Sequence, residues 1–485
     1  MTAASQPAAR RTDLWGPAAW TLAARGCRQV TAMVVMALAA RQLGQSGFGH
    51  WTLLLAGYQL AIVAGEFGLP TYVVCCRRLG RRNATAVAIL AAGSTGVATL
   101  TYLLVAVGFM AGVGGGLAVT TVLSLGIPIA IASNLAAAAA RRARLFSRLF
   151  VADVAAAGVT IPIGLGLIGF GYALPALVVT VMAPAVIVLF AAAPAYPRKW
   201  AVPSAARLRH VLRYVAGVAG FSGATFCSKN IDYFLISGFL DAASLGCYSI
   251  AYRFAMTPMG YIQTALNQAT LPTLSPMRNR PKDLVEQFVH LIRLGGWTAA
   301  TLMMSMWCFR HRMVAAVLGP GWDVAADVIG ILAPLVVLQS LVSPLLMVHS
   351  VMGRTSRLTR IGLANGAVVA CGLSAGLWVG DVTAVACGYA AAHLAMMLPQ
   401  IRWASEPLGV SPRWWWTAAG PTLAVTAATM IVSGVTGRPE IGWSVLAVAQ
   451  TVTAVGVVGR RFSPALHRRP FRSLPRVPGS VESGA

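Results

Sequence analysis

The chain is written in long apolar runs. Fourteen stretches of about 20 residues or more lie at 18–40, 48–72, 84–108, 116–139, 150–171, 173–194, 212–238, 243–272, 287–309, 325–350, 360–379, 381–400, 414–435 and 440–459. A helix needs about 20 apolar residues to cross the hydrocarbon of a bilayer. The pattern therefore predicts an all-α polytopic membrane protein with about 14 transmembrane helices. Composition agrees: only 11% of residues are charged and 57% are hydrophobic, whereas a water-soluble domain carries about 25% charged residues.

The first apolar stretch runs too long for a signal peptide and leads straight into further spans. The eight cysteines show neither zinc-site pairs nor the spacing of a disulfide framework, so no metal site is expected. Cys75 and Cys76, beside Arg77 and Arg78, read first as small residues at a helix end and only second as acylation sites. Gly164, Gly166, Gly169 and Gly171 blur the break between the fifth and sixth runs, and prolines at 128, 162, 184, 258, 334 and 344 fall inside runs. Such breaks are tolerated where neighbouring helices or a cavity satisfy the freed backbone groups.

The net charge is +25. With the N-terminus placed in the cytoplasm, 29 of the 38 Lys and Arg residues fall in inner loops or tails. Four (Arg41, Arg310, Arg312, Arg438) fall outside, and five lie within spans. This asymmetry obeys the positive-inside rule and predicts both termini cytoplasmic in a cell membrane. The basic balance thus points to anionic lipid at the cytoplasmic face, not to nucleic acid. The expected organisation is an N-tail (1–17), a first six-helix lobe (18–194), a basic linker (195–211), a second six-helix lobe (212–400), an extra helix pair (414–459) and a basic tail (460–485).

An internal repeat supports two lobes. LGQSGFGHWTL (43–53) and LDAASLGCYSI (240–250) align at an offset of 197 residues, with Leu43/Leu240 and Gly49/Gly246 identical and Thr52/Ser249 conservative. Six spans separate them, an even number, so the repeat is parallel. Parallel repeats related by an axis along the membrane normal place ligand sites between the bundles, near mid-membrane.

Charges inside the runs mark where such a site lies. Arg25 and Arg28 fall in the first run, Glu66 in the second, Lys229 and Asp232 in the seventh, and Arg253 in the eighth. Six such groups facing lipid would cost on the order of 15–20 kcal/mol, so they should face a wet or protein-lined interior. Arg25/Arg28 and Lys229/Asp232 are each three apart and share a helix face. The bland alternative is that Lys229 and Asp232 neutralise each other and that Arg25 lies near the headgroups. Asp153 and Arg293, near helix ends, read as snorkelling groups, and His290, His349 and His393 as packing residues. Four interior cations against two carboxylates suit an anionic ligand, and guanidinium matches phosphate oxygens in pairs.

Several segments together resemble the Wzx-type polysaccharide flippases of the multidrug/oligosaccharidyl-lipid/polysaccharide exporter superfamily. They are ARQLGQSGFG (40–49), EFGLP (66–70) followed by CRR (76–78), NIDYFLISGFLDAASLGCYSIAYRFAMTP (230–258), LPTLS (271–275), LGPGWDVAADVIGILA (318–333) and VMGR (351–354). The resemblance covers about residues 13–400. It implies two six-helix lobes in a V and a cationic central cavity. It also implies transfer of an oligosaccharide on a polyprenyl pyrophosphate from the inner to the outer leaflet by alternating access. Arg253 and Asp232 stand where the family pattern has an arginine and an aspartate. Arg25 and Arg28 match a looser pattern, and Lys229 is particular to this chain. The expected substrate-binding cations are Arg28, Arg253, Arg25 and Lys229; Asp232 and Glu66 are the candidates for coupling to H+ or Na+. No cofactor is expected, and glycosyltransferases and a polymerase of the same pathway are the implied partners.

Two other functions compete. A multidrug extruder of the same superfamily would want a cavity biased towards carboxylates. A polytopic glycan polymerase or glycosyltransferase would want acidic or histidine-bearing outer loops, but the longest outer loop, about 310–324, carries little beyond HRMVAAVLGPGWD. Paired carboxylates, a Ser/His/Asp set and a phosphate-binding loop are not apparent, so the chain is not expected to be an enzyme.

Overall fold

The computed structural model describes residues 15–76, 80–110, 116–196, 201–274, 277, 281–352 and 355–462. Each apolar run forms a helix. The first two runs make one long helix, α1 (Trp15–Glu66), broken at Gly44, and a short α2 (Leu69–Cys75) follows. Next come α3 (Arg81–Met110), α4 (Gly116–Arg142), α5 (Phe146–Gly169), α6 (Ala173–Ala192), α7 (Ala205–Phe239), α8 (Ala242–Leu274) and α9 (Pro281–Cys308). The short α10 (Arg310–Leu318) precedes α11 (Asp323–Val351), α12 (Thr355–Val379), α13 (Val382–Leu408), α14 (Arg413–Thr436) and α15 (Pro439–Phe462). Setting aside α2 and α10 and counting α1 as two arms leaves fourteen long helices among the described residues. Among the described residues, eight helices are long and apolar enough to cross a membrane by length and composition alone, or nine with the bent α1–α2 pair. The protein is all-α and multi-pass. On α3, Val97, Leu100 and Leu104 are exposed apolar side chains in one helical stripe, the expected surface where lipid is the solvent.

Two breaks differ from the simplest sequence expectation. The first two runs are not separated by an outer loop. Helix continues on both sides of Gly44, whose φ of 69° turns the chain without a Cβ penalty. The blurred boundary between the fifth and sixth runs resolves into a tight turn at 170–172, with Gly171 at φ 84°.

Packing repeats with the sequence. In the first half α6 lies against α4 and α5; in the second, α13 lies against α11 and α12. The halves join where the second arm of α1 crosses α8. A Cβ on Gly49 would collide with the carbonyl of Ala242, and a Cβ on Gly246 would collide with the carbonyl of Gln45. Gln45 and Ala242 are themselves 197 residues apart, so each contact is the repeat image of the other, as at a two-fold interface.

Close contacts divide the chain into two units, Met1–Leu423 and Ala424–Ala485. The first holds both six-helix sets and the start of α14, where the Trp415 indole N–H donates to the Leu341 carbonyl at 3.0 Å. The second holds the rest of α14 and α15, which approach closely where Gly442 meets Thr429 and Ser433.

Candidate functional site

A cavity of about 670 Å³ lies between the two halves. Both arms of α1, together with α4, α5 and α6, line it from one side, and α8 contributes Arg253, Thr257 and Tyr261 from the other. Among the described residues, the charged ones in its lining are Arg28, Arg141, Arg253 and Asp153. Three guanidinium groups against one carboxylate leave an excess of positive charge. The Tyr261 hydroxyl and Gln29 Oε1, 3.1 Å apart, bridge α8 to the first arm of α1 across one side of the cavity.

The sequence placed Arg28 and Arg253 together, and they line the same space. Arg25 and Lys229 lie on α1 and α7 with side chains outside the described residues, so the Lys229–Asp232 pair is outside them too. Two further members were missed. Arg141 ends α4 and read as an inner-loop charge, yet it reaches the cavity. Asp153 read as a snorkelling group, but it is buried, and its Oδ1 lies 2.9 Å from Arg28 Nη1. The correction has a simple cause: Arg28 has no carboxylate at helical spacing on its own helix and finds one on α5.

Arg253 sits one turn beyond Ser249 on α8. Its Nε is buried without a hydrogen-bond partner, and its guanidinium reaches towards Tyr233 of α7. A buried guanidinium donor left unmatched is costly.

Asp232 does not line this central cavity. It is 4% exposed and opens on a second cavity of about 970 Å³ inside the second half, formed by α7, α8, α11, α12 and α13. Gln263, Gln339, Asn365 and His393 share that lining. The carboxylate accepts the Tyr233 backbone N–H at 3.0 Å. A tyrosine cluster surrounds this carboxylate's end of the second cavity, with Tyr252 and Tyr389 in its lining. Tyr248 and Tyr252 stack with centroids 5.9 Å apart, Tyr233 meets both edge-on, and Tyr252 meets Tyr389 at 6.0 Å. The His393 ring packs on Tyr389 at 4.4 Å. His393 therefore does pack, as its scattered position suggested, but it does so on a cavity wall.

Glu66 ends the second arm of α1, where Phe67 (φ 46°) and Gly68 (φ 74°) bend the chain into α2. The Asn134 amide of α4 donates to its Oε1, and Arg141 is a nearby positive charge. Arg142 Nη1 donates to the carbonyls of Val73, Val74 and Cys76 and so closes the C-terminal end of α2. Gly68 packs against Val218 of α7, and Tyr72 meets Tyr214 edge-on at 5.3 Å. The α1–α2 bend thus ties α4 to α7. Among the described residues, no group of three or more His, Cys, Asp or Glu residues is arranged to hold a metal ion.

The two repeated helix sets and the cavity between them define a membrane protein with the fold of the multidrug/oligosaccharidyl-lipid/polysaccharide exporter superfamily. Solved structures with this fold include the lipid II flippase MurJ in an inward closed conformation. It is 10% identical, with a TM-score of 0.62, covering 91% of this chain and 99% of that one. An outward-facing multidrug resistance MATE family transporter (16% identical, TM-score 0.53) and a superfamily transporter from Pyrococcus furiosus (14%, 0.52) each cover 80% of this chain and 96% of theirs. The chain belongs to the polysaccharide biosynthesis protein family, whose model matches residues 38–327. A curated relative, the succinoglycan biosynthesis transport protein ExoT of Rhizobium meliloti (strain 1021), is 24% identical over 127 residues. The match spans about a quarter of that relative's length, 26% of each chain.

Proposed function

We propose that this protein flips a polyprenyl-pyrophosphate-linked oligosaccharide from the inner to the outer leaflet of the cell membrane during cell-surface polysaccharide biosynthesis. The observation that carries the reading is the central cavity, where, among the described residues, Arg28, Arg141 and Arg253 outnumber the single lining carboxylate, Asp153. Family membership supplies the polysaccharide context. In this mechanism the pyrophosphate enters between the lobes and is held by Arg253 and Arg28, with Arg25 and Lys229 assisting. The sugars occupy the wet space, and the polyprenyl tail stays in lipid. Rocking of one lobe against the other about the α1–α8 joint then exposes the cavity to the opposite side. Both termini lie in the cytoplasm, where anionic lipid meets the basic loops. Glycosyltransferases that build the repeat unit and a polymerase that consumes it are the matching partners.

Asp232 and Glu66 are the proposed sites of coupling to H+ or Na+. Burial of Asp232 next to Tyr233, which the Arg253 guanidinium approaches, supports an ion-linked switch, because a buried carboxylate needs a counter-charge or a proton. A multidrug extruder for organic cations fits the arginine excess poorly. The deciding experiment is depletion of the protein followed by mass spectrometry of lipid extracts. Accumulation of a complete lipid-linked repeat unit is expected; an unchanged lipid-linked pool would overturn the reading.

A further inference from the structure

The central cavity holds a carboxylate that an anion site would be expected to exclude. Asp153 lies in FVADVAAAGV, where no cation stands three or four residues away, and it is 6% exposed. Its counter-charge comes from Arg28, on another helix. The register that brings them together is fixed further along the same two helices. Val35 packs on Gly164, where a Cβ would stand 3.0 Å from the valine methyls, and Gln42 Nε2 donates to the Ile168 carbonyl at 2.7 Å. The contacts 28/153, 35/164 and 42/168 step along α1 and α5 in the same direction, so the pair is the last rung of a parallel packing. The bond engages Nη1, while the Arg28 side chain keeps 32% of its surface exposed at the cavity. A guanidinium has five donors in a planar fork, so one side can be tethered while the other is offered to a ligand.

Resting on the reading that the cavity receives a pyrophosphate, we propose that Asp153 is a positioning residue that aims Arg28 into the cavity and limits how tightly the cavity holds an anion. With the cavity empty, Asp153 offsets the cost of keeping Arg28 out of bulk water. With the phosphate bound, the carboxylate competes for the same guanidinium and repels the phosphate through a medium that screens poorly. A carrier must release what it binds, and a built-in competitor keeps the site from becoming a trap. The chemistry Asp153 tunes for is a phosphate or pyrophosphate group, independent of the sugar.

The test uses the full chain in detergent, with farnesyl pyrophosphate as the binding probe, and the same variants in vesicles for flipping. Asp153→Asn is expected to bind the probe about tenfold more tightly while flipping more slowly. Asp153→Ser, a smaller neutral replacement, should do the same if the asparagine variant folds poorly. Asp153→Glu keeps the charge pair and should stay near the wild-type affinity. A carboxylate that only staples α5 to α1 would lower the melting temperature in both neutral variants and leave the affinity unchanged. That result, or weaker binding, overturns the inference. If wild-type protein fails to bind the pyrophosphate probe, the functional reading itself falls and takes the inference with it.

Discussion

Thr52 and Ser249 share a hydrogen bond of 2.9 Å at the joint between the two lobes, and they are the same position of the internal repeat, 197 residues apart. Equivalent residues touch in this way only near a symmetry axis, so the pseudo-two-fold axis passes between them. Gly49 and Gly246, one turn away, let the two backbones come together there.

Cross-linking this joint tests whether it is the pivot of transport. The variant Thr52→Cys/Ser249→Cys, in a cysteine-free background, is expected to form a disulfide under mild oxidation, because the two side-chain oxygens already touch. A protease site placed at residues 201–204 would report it, since the two halves remain linked after cleavage until reduced. Flipping should survive the bond, because the lobes rock about this joint; a loss that reduction restores would show that α1 and α8 must part there and would move the pivot elsewhere. Overpacking the joint with Gly246→Val should destabilise the protein by about 1–3 kcal/mol, visible as a lower melting temperature.

Arg253 should be needed for transport and not for folding. Arg253→Ala is expected to abolish flipping at normal membrane levels. Arg253→Lys should restore only part of it, because a point charge replaces a fork of donors. Wild-type flipping by Arg253→Ala in reconstituted vesicles would place the cargo site elsewhere.

Asp232→Asn keeps the size of the side chain and removes its titration. Probe binding should persist in this variant, because Asp232 opens on the second cavity and not on the central one. Dependence of flipping on an imposed proton or sodium gradient should disappear. Gradient-driven flipping that survives the substitution would reduce Asp232 to a structural acceptor for the Tyr233 N–H and move attention to Glu66.

Orientation is checked by cysteine labelling from outside intact cells, again in a cysteine-free background. A cysteine at Asp381, exposed between α12 and α13, should react with an impermeant reagent, and one at Arg360, exposed near the start of α12, should not. The reverse pattern would invert the topology.

Asp241 precedes α8 and accepts the Ser244 backbone N–H at 2.9 Å. Hydrogen bonds from the Ser244 side chain and backbone hold its pKa below the ordinary aspartate value. A depressed carboxylate pKa gives stability that is present above the unfolded-state value and lost as pH falls through the folded one. Thermal stability of wild type should therefore exceed that of Asp241→Ala at neutral pH, by up to about 1 kcal/mol for an exposed cap. The difference should vanish as the pH drops below the ordinary aspartate range.

The helices were legible in the sequence because the demand that lipid places on a segment is local. A run either is long and apolar enough or is not, and all fourteen runs became helices. The repeat was legible for a related reason. Gly49 and Gly246 are required by the close backbone crossing, and a residue type fixed by geometry leaves a mark at a constant offset. Part of the interior charge could also be read directly, since Arg28 and Arg253 stand out in their apolar runs whatever their neighbours.

Partners could not be read, and the reason is rotational. α6 and α11 are apolar on nearly every face and the polar residues of α1 follow no single stripe, so little in their sequence says which side turns to lipid, to a cavity or to another helix. Arg28 therefore gave no hint of Asp153, 125 residues away, and the alanines and valines around Asp153 gave no hint of a buried ion pair. Arg141 looked like one more basic residue at a helix end until α4 was set beside α1. Asp232 and Arg253 looked like members of one site because they belong to adjacent spans. Side chains on two packed helices can face different cavities, as Arg253 and Asp232 do here. The sequence alone determined which segments form long apolar helices, because that demand is local; which charges reach the cavity, and which charge meets which, was decided only by the rotation and register of helices packed in three dimensions.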